Sequence, residues 1–554
     1  MSFYVNYQMD GLNTFYYHTT NMVIHSIASI AVFLLARHLF LEHKKSKSVR
    51  NETEPASRND ETILAFFTAA LFAAHPIQTQ AVSYLAQRDT SLAGMFYLAA
   101  MFFYVQSAKS KAIGFRVASW ICFILSIYSK LIAVSLPLAI LGYEVCFGAH
   151  KERRLLTISK RVLPYILILL VLVALNFAYA AQGAKAMGGL IEPEKGLTHS
   201  RLDYLATQFS VICTYVRLMF VPYGQTLDYD YPIQSAFMNI RVLLPLFALI
   251  SLWGGAVLLW KKNRVMSFGI LWFFITVSIE SSFIPLSDVI NEHRLYLPMF
   301  GFSLLIAMAL FGFLKNRKVY QLIMISIIIL CAILTYRRNQ LWASEPLFWQ
   351  DVIRKAPAKV RPVVNLADYY EDHGEFHEAI KYALKAVEID PGIPQAYDIL
   401  GLCYAKTGDK KKAIGYFKKA IEIDRHYVKA YNNLAVIYDQ MGDLKKEIEL
   451  YRQAIKIDPE YLQGYTNLGI LYGKTGDYQK ARDNLEKAQR LNPDDKNTLY
   501  NLGVVYGKLG EFKKAEGQID KLSRFDLSQA EKLKSIIEKN KRAAISKNPS
   551  GNKK

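Results

Sequence analysis

Ionisable side chains lie beside apolar stretches at several points of the chain, an arrangement that is costly in a membrane and usually serves function. The cations of this set are Arg88, Lys130, His293 and Arg294, and its acids are Asp89, Glu280 and Glu292. Cations suit a lipid-linked phosphate, because an arginine side chain can donate two parallel hydrogen bonds to the phosphate oxygens. A nearby acid suits proton abstraction from a hydroxyl.

We therefore predict that Arg88, Lys130, His293 and Arg294 bind a donor phosphate and that Asp89 and Glu292 are catalytic. An alternative stays open, in which these residues lie at headgroup level and are satisfied by water and by one another. Further polar residues predicted on the same side are His18, Asn21, His75, Asp228, Asp230 and Tyr296.

The elements that must position these residues are apolar stretches near the ~20 residues that cross a bilayer. They lie at 21–41, 61–75, 90–107, 113–129, 131–147, 162–181, 203–222, 241–260, 265–285, 296–314 and 319–336. The second is short and leads into HPIQTQAVSYLAQRD, which indicates a broken or re-entrant helix. Such backbone is tolerated at membrane depth where it lines a cavity.

Positive charge predicts which loops are cytoplasmic. Lys and Arg concentrate in the loops at 42–61, 108–116, 149–161, 261–264 and 315–318. All five fall on one side if the stretch 203–222 lies in the membrane interface instead of crossing it. Ten spans then remain, with the predicted site and the C-terminal half outside. Arg337 and Arg338 are the weak points, because they fall on the wrong side.

Composition excludes several classes of protein. Over 554 residues the hydrophobic fraction is 52% and the net charge is +20. Charged residues are sparse up to about 350 and dense beyond it, so a wholly soluble enzyme and a disordered chain are both excluded. The basic residues are dispersed over membrane loops, which argues against nucleic-acid binding. Five cysteines in apolar or helical segments indicate small packing residues and no disulfide framework.

A 34-residue period follows residue 360, the length of the tetratricopeptide repeat. Its key leucines are Leu366, Leu400, Leu434, Leu468 and Leu502, each followed by a small residue. A Gly followed by an acid marks each turn. We predict five repeats over 360–527, a polar capping helix near 528–542 within a basic tail that runs to 554, a linker at 341–359 and a membrane domain at 1–340.

One column of the repeats predicts a ligand surface. The residue before the key leucine is Asn365, Asn433, Asn467 and Asn501, with Ile399 as the exception. An Asn side chain both donates and accepts hydrogen bonds, so a concave row of them could hold a peptide backbone. The alternative is that Asn is merely a common polar residue at this position.

Several motifs carry a resemblance to a known family. They are YHTTNMVIH (17–25), HPIQTQAVSYLAQRD (75–89), SKLIAVSLP (129–137), LDYDYPI (227–233), NEHRLYLP (291–298) and LWASEPLFWQDVIRKAP (341–357). In this order they resemble the transmembrane-and-tetratricopeptide O-mannosyltransferases, together with bacterial relatives. The resemblance covers nearly the whole chain.

The resemblance implies an all-α GT-C fold that transfers a sugar from a polyprenyl-phosphate donor to a protein hydroxyl outside the cytoplasm. It implies no metal and no cofactor beyond that donor. Two departures stand out. The family has Lys-Glu where this chain has Lys130–Leu131. We also expect the chain to begin just past a first span and outer loop that carries the family's acidic base, for which Asp10 is a poor substitute.

Two functions therefore remain open. The first is an integral-membrane glycosyltransferase that takes a lipid-linked sugar and binds an acceptor protein in the repeat groove. The alternative is a non-catalytic membrane scaffold whose repeats recruit a partner protein, because fold does not fix function. We expect the bacterial inner membrane, with the repeats on the periplasmic side.

Overall fold

The computed structural model describes residue 6 and residues 14–48, 59–110, 112–148, 155–181, 200–235, 237–282, 284–286 and 288–547. Over these residues the regular structure is helical and no strand occurs. The predicted all-α class is thus confirmed. The chain divides into two compact units, Met1–Pro357 and Ala358–Lys554.

The first unit is built from helices of very different lengths. Its α-helices are α1 (Thr14–Ser48), α2 (Asp60–Ala74), α3 (Thr79–Val82), α4 (Arg88–Ser110), α5 (Ile113–Ser129), α6 (Leu136–Phe147), α7 (Leu155–Ala181), α8 (Arg201–Phe220), α9 (Ile240–Lys262), α10 (Arg264–Val277), α11 (Pro298–Phe313), α12 (Arg317–Trp342) and α13 (Glu345–Lys355). Short 3-10 turns lie at Pro76–Gln78, Leu85–Gln87, Leu131–Ser135 and Glu292–Leu295.

Five segments of this unit are long and apolar enough to cross a membrane, by length and composition. They are Thr14–Ser46, Leu85–Ser110, Ile158–Leu175, Ile240–Lys262 and Arg317–Trp342. A sixth is a bent pair, Asp60–Ala74 with Pro76–Val82, at an angle of 49°. Shorter apolar helices lie at Ile113–Ser129, Leu131–Phe147, Arg264–Val277 and Pro298–Phe313.

The bend falls at His75, where the predicted broken helix is found. The His75 Nδ1 accepts a hydrogen bond from the Ile77 backbone N–H at 3.2 Å, and Nε2 lies 3.0 Å from the carbonyl oxygen of Met219. Pro76 follows directly and lacks a backbone donor, so the helix cannot continue through it. The imidazole thereby accepts from one backbone N–H at the break and links the break to Met219 in α8.

Helix α8 begins with a capping box in which Ser200 and Asp203 bond each other's backbone N–H groups. It is absent from the described helices that pass the length and hydropathy test for a span. Its interfacial position stays a prediction.

The stretch 341–359, predicted as a linker, contains helix α13 and belongs mostly to the first unit, which ends at Pro357. Asp351 is buried there and pairs with Arg338 at 3.4 Å and with Arg354 at 2.6 Å. The rings of Trp342 and Phe348 are 4.4 Å apart. The charged residues of this segment pair with one another, and the buried carboxylate of Asp351 also pairs with Arg338.

The second unit is a series of helix pairs. The helices are α14 (Val360–Asp372), α15 (Phe376–Ile389), α16 (Pro394–Lys406), α17 (Lys410–Ile423), α18 (Val428–Met441), α19 (Leu444–Ile457), α20 (Leu462–Lys474), α21 (Tyr478–Leu491), α22 (Lys496–Leu509), α23 (Phe512–Leu522) and α24 (Leu527–Lys547). The first ten form five pairs, and α24 lies where a capping helix was predicted. The five key leucines are all buried.

Small residues let neighbouring helices touch. A Cβ atom added to Gly401, Gly469 or Gly503 would lie 2.5–2.6 Å from Phe417, Leu485 or Leu533. Each turn within a pair needs a left-handed residue, which glycine adopts without steric cost. The turn glycines with positive φ are Gly374, Gly408, Gly442, Gly476 and Gly510.

Candidate functional site

A lysine between two carboxylates is the centre of the candidate site in the first unit. Lys130 follows the end of α5 in extended backbone, and its side chain is 17% exposed. Its Nζ donates to the Thr90 hydroxyl at 2.6 Å and lies 3.9 Å from an Asp89 oxygen and 3.8 Å from a Glu280 oxygen. The fold thus brings together residues from α4, α5 and the end of α10.

Asp89 is the accessible acid of this group. It lies in the first turn of α4, where the helix dipole favours a negative charge. Its Oδ1 accepts from the Thr90 backbone N–H at 2.7 Å, and its side chain is 45% exposed. Asp89 is therefore fixed in position and open to a ligand, and its catalytic role stays a prediction.

His293 and Arg294 lie in the buried 3-10 turn Glu292–Leu295. The Arg294 Nη atoms donate to the carbonyl oxygens of Asp288 at 2.7 Å and Val289 at 3.1 Å. Burial, followed by the charges of Lys130 and Arg294, holds the pKa of His293 well below its usual range. Burial therefore favours the neutral imidazole, and the role of His293 in phosphate binding stays a prediction.

Glu292, the other predicted catalytic acid, is fully buried. Its carboxylate accepts from the Thr226 backbone N–H at 2.7 Å, the Tyr229 hydroxyl at 2.6 Å and the Gln225 amide at 3.0 Å. Burial raises its pKa, and the Arg338 cation acts in the opposite direction. This geometry differs from the prediction, because a buried acid with three internal donors positions the 225–229 segment and is not presented to a substrate.

Arg88 also differs from its predicted role. Its side chain is 1% exposed, and it donates to Asn21 Oδ1 at 2.6 Å, Asn6 Oδ1 at 2.5 Å and the Tyr17 carbonyl oxygen at 3.0 Å. Asn21 in turn donates to the Val82 carbonyl oxygen at 2.9 Å. The guanidinium therefore links α1 to the start of α4, and its hydrogen-bond donors are occupied by acceptors within the protein.

The remaining predicted polar residues are scattered. Tyr296 is buried against His25, with 2.9 Å between its hydroxyl and Nδ1. Asp228 is buried, Asp230 is exposed, and His75 caps the helix break described above. They do not join the Lys130 group as one cluster.

A separate cavity of about 420 Å³ opens beside the broken helix. His18 and His75 line it together with Gln78, Thr79, Asn339 and Trp342. No Asp, Glu, Lys or Arg is among its described lining residues. Gln78 Oε1 and Trp342 Nε1 are buried without a hydrogen-bond partner in the described part of the chain. The cavity therefore offers an acceptor, a donor and an aromatic face to an uncharged ligand.

In the second unit, two members of the asparagine column bond to the preceding repeat. Asn433 Nδ2 donates to Asp398 Oδ1, and Asn467 Nδ2 donates to Asn432 Oδ1, both at 2.9 Å. Asn501 instead donates within its own helix to the Asn497 carbonyl oxygen at 2.8 Å. Asn365 is half-buried like the others. Part of the predicted peptide ladder therefore serves inter-repeat packing.

Sequence reasoning missed a second periodic column. Lysines at 34-residue steps place their Nζ over the repeat tyrosines, 4.8 Å from the ring centre of Tyr404 and of Tyr438 and 5.5 Å from that of Tyr472. The same lysines pair with the acid that caps their own helix, as Lys446 does with Asp443 at 2.7 Å. The 34-residue spacing of Lys412, Lys446, Lys480 and Lys514 was the available signal.

Metal binding finds no candidate in the described residues, where no group of three or more His, Cys, Asp or Glu side chains could hold an ion. Metal independence stays a prediction.

Comparisons with known proteins find similarity in both halves of the chain. Tetratricopeptide-repeat family models match residues 364–428, 428–461 and 463–495. A protein O-mannosyl-transferase of Caenorhabditis elegans is 26% identical, over 71% of this chain and 53% of its own length. Protein O-mannosyl-transferases TMTC1 and TMTC3 of Homo sapiens are 22% and 24% identical, over 74% and 73% of this chain and 49% and 45% of their own.

Solved structures match the repeat unit. The structure of YrrB, titled a TPR protein with an unusual peptide-binding site, is 20% identical with a TM-score of 0.28, over 34% of this chain and 97% of its own. A MamA structure is 30% identical with a TM-score of 0.24, over 27% and 81%. The chain spans about half the length of the curated relatives it matches.

The fold and the comparisons define an α-helical membrane protein that ends in tetratricopeptide repeats, a module of protein–protein interaction. The predicted resemblance is confirmed, because this chain is similar to proteins named protein O-mannosyl-transferases over about 70% of its length.

Proposed function

We propose that this chain is a membrane-embedded glycosyltransferase that moves a sugar from a polyprenyl-phosphate carrier to a protein hydroxyl. The observation that carries the proposal is the position of Lys130 between the carboxylates of Asp89 and Glu280, with Asp89 exposed. A cation that can pair with a phosphate and an accessible acid that can take a proton are adjacent there. These are the two groups that the reaction needs.

In the proposed reaction the acceptor oxygen attacks the anomeric carbon of the sugar. The bond from that carbon to the phosphate oxygen breaks, and its electron pair leaves with the polyprenyl phosphate. Lys130 stabilises the charge that develops on the phosphate, and Asp89 takes the proton from the hydroxyl. Arg294 orients the 288–294 loop beside them, and the donor is the only small molecule that the reaction uses.

The charge-free cavity beside the broken helix suits the uncharged partner in this reaction. Gln78 Oε1 lacks a partner in the described structure, and Asn339 and Thr79 add polar groups. Sugar hydroxyls could satisfy these atoms while Trp342 packs against a sugar face. Acceptor proteins would dock on the repeats.

The membrane arrangement that fits this reaction has ten spans. They are the five long segments, the bent pair and the four shorter apolar helices. Helix α8 then lies in the interface, the Lys130 group and the repeats lie outside the cytoplasm, and the five basic loops lie inside. We propose the bacterial inner membrane, with the repeats in the periplasm.

The test is sugar transfer by the full chain in proteoliposomes that contain a polyprenyl-phosphate-linked mannose and an acceptor protein. We expect Lys130→Ala and Asp89→Asn each to lower the rate about 100-fold or more, because charge stabilisation and proton transfer typically contribute that much. Lys315→Ala, an exposed lysine on a basic loop, is the matched control. Wild-type rates in both site variants would refute the assignment.

A second function is favoured by one observation. Arg88 and Glu292, which the sequence predicts to be functional residues, form hydrogen bonds with other groups of the protein. This is what a scaffold with retained family motifs would show. If the wild-type chain transfers no sugar but captures a periplasmic protein through its repeats, the scaffold is the correct reading.

A further inference from the structure

A second cavity of the first unit is strongly basic. It has a volume of about 470 Å³ and lies among α4, α5 and α7. Its wall includes Tyr104, Ser107, Arg116, Trp120, Lys160 and Arg161. It therefore collects three cations from two helices. The Lys130 group lies at the opposite ends of α4 and α5, because Asp89 and Thr90 begin α4 and Lys130 follows α5, whereas the cavity is lined by the end of α4 and the start of α5.

One of these cations has an internal partner. Arg161 Nη1 lies 3.0 Å from both carboxylate oxygens of Glu144, which is buried and also accepts from the Tyr104 hydroxyl. The Glu144 charge is thereby balanced within the protein. Arg161 is therefore a paired residue of the cavity wall and is not available as the main anion ligand.

The other two cations are uncompensated within the described structure. Arg116 and Lys160 are exposed, and neither forms an ion pair with a described residue. After Arg161 and Glu144 cancel, the cavity carries two positive charges from these side chains. Two cationic donors at the rim of one cavity suit the oxygens of a phosphate group.

The surroundings indicate a ligand with an apolar part. Next to the basic residues, α7 exposes Leu163, Leu167 and Leu170, and α5 exposes Val117 and Ile121. In the proposed topology these faces meet acyl chains, and the cavity opens at the cytoplasmic headgroup level, between the end of α4 and the starts of α5 and α7. Trp120 suits that level, where amphipathic rings concentrate.

We propose that this cavity binds the phosphodiester headgroup of an anionic phospholipid through Arg116 and Lys160. Basic pockets between helices on the cytoplasmic side recognise such headgroups. The proposal rests on the membrane position of the unit and not on sugar transfer. The apolar faces on α5 and α7 would hold the acyl chains, which a free phosphate lacks.

The experiment measures the melting temperature of the full chain in detergent as phosphatidylglycerol or phosphatidylcholine with identical acyl chains is added. We expect phosphatidylglycerol alone to stabilise the wild type. The double variant Arg116→Ala/Lys160→Ala should bind phosphatidylglycerol at least tenfold more weakly, since each charge-assisted bond contributes about that factor.

The matched control is Lys315→Ala/Lys318→Ala, which removes the same charge from another exposed basic loop. It should bind phosphatidylglycerol like the wild type. Equal losses in the two double variants, or equal effects of the two lipids, would overturn the proposal. So would full stabilisation by inorganic phosphate, which needs no acyl chain, or tighter binding of polyprenyl phosphate, which would assign the cavity to the carrier.

If the alanine variant melts early in phosphatidylcholine, Arg116→Gln/Lys160→Gln keeps the side-chain bulk and repeats the comparison. Sugar transfer is not a readout here. Failure of the lipid site and failure of the glycosyltransferase proposal therefore give separate results.

Discussion

The side-chain amide of Asn467 donates a hydrogen bond to Oδ1 of Asn432, which lies 35 residues earlier in the preceding repeat. Asn433 bonds to Asp398 across the same interval. Two members of the asparagine column therefore join neighbouring repeats.

Removal of these two bonds should weaken the array. We expect Asn433→Ala/Asn467→Ala to lower the free energy of unfolding by ~1–3 kcal/mol, from ~0.5–1.5 kcal/mol for each bond. Urea denaturation of residues 358–547 measures it. Asn501→Ala is the control, because its bond stays within one helix and its loss should have a smaller effect. Unchanged stability with lost capture of a partner protein would instead show that the column serves only the ligand.

Replacement of Glu292 should damage the fold before it damages chemistry. Glu292→Ala leaves the donors of Thr226, Tyr229 and Gln225 buried without their acceptor. Each buried donor left without an acceptor typically costs ~1–3 kcal/mol. The melting temperature in detergent should therefore fall markedly, while Asp230→Ala, an exposed acid on the same segment, should melt like the wild type. A Glu292→Ala protein that is as stable as the wild type but inactive would restore the catalytic role.

Glu447 should make the repeats less stable as the pH rises. It occupies the position that holds alanine in the other repeats, is 4% exposed, and has its pKa raised to about 7 by burial and then by Asp439. Because the folded pKa lies above the unfolded value of 4.5, its stabilisation is complete below pH 4.5 and is lost as the pH passes through 7.

The expected loss is about 3 kcal/mol at most. Denaturation of wild type and Glu447→Gln at pH 5 and pH 8 isolates this group from other titrating residues. The wild type should lose more stability than the variant between the two pH values. Parallel losses would mean that Glu447 is hydrated and titrates normally.

Two glycines of helix α20 provide a matched pair. A Cβ at Gly469 would lie 2.6 Å from Leu485 Cγ, whereas a Cβ at Gly473 would meet nothing nearer than 3.8 Å. Gly469→Ala should therefore destabilise the repeats by ~1–3 kcal/mol through overpacking. Gly473→Ala should be neutral or stabilising, because alanine favours the helix. Equal effects on thermal melting would show that the helices can move apart at no cost.

Topology is tested by alkaline phosphatase fused after Pro357 in a bacterial host. The basic loops predict that the enzyme is exported and active. A fluorescent cytoplasmic reporter fused at the same point should then stay dark. Bright fluorescence with silent phosphatase would place the repeats inside and contradict the proposed reaction.

The repeats were predictable because the same 34-residue pattern of packing residues occurs five times. The leucine, the small residue and the turn glycine each lie where the spacing required. The helix break at His75 was also predictable, because Pro76 cannot continue a helix.

The environment of single charged residues was not predictable in this way. Arg88 meets Asn6, and Glu292 meets Thr226, 82 and 66 residues away in the sequence, so their burial depends on tertiary contacts that no local pattern encodes. The same holds for Arg338, which the positive-charge pattern places on the wrong side of the membrane. It pairs with Asp351, which lies in the stretch predicted as a linker.

The bonds from Asn433 and Asn467 each span one repeat plus one residue, so they recur with the period wherever an Asp or Asn lies 35 residues earlier, whereas Asn501, with Thr466 at that step, bonds within its own helix. Duplication of a 34-residue segment recreates the same junction at the new copy. The array can therefore lengthen or shorten during evolution by whole units without redesign of the membrane half.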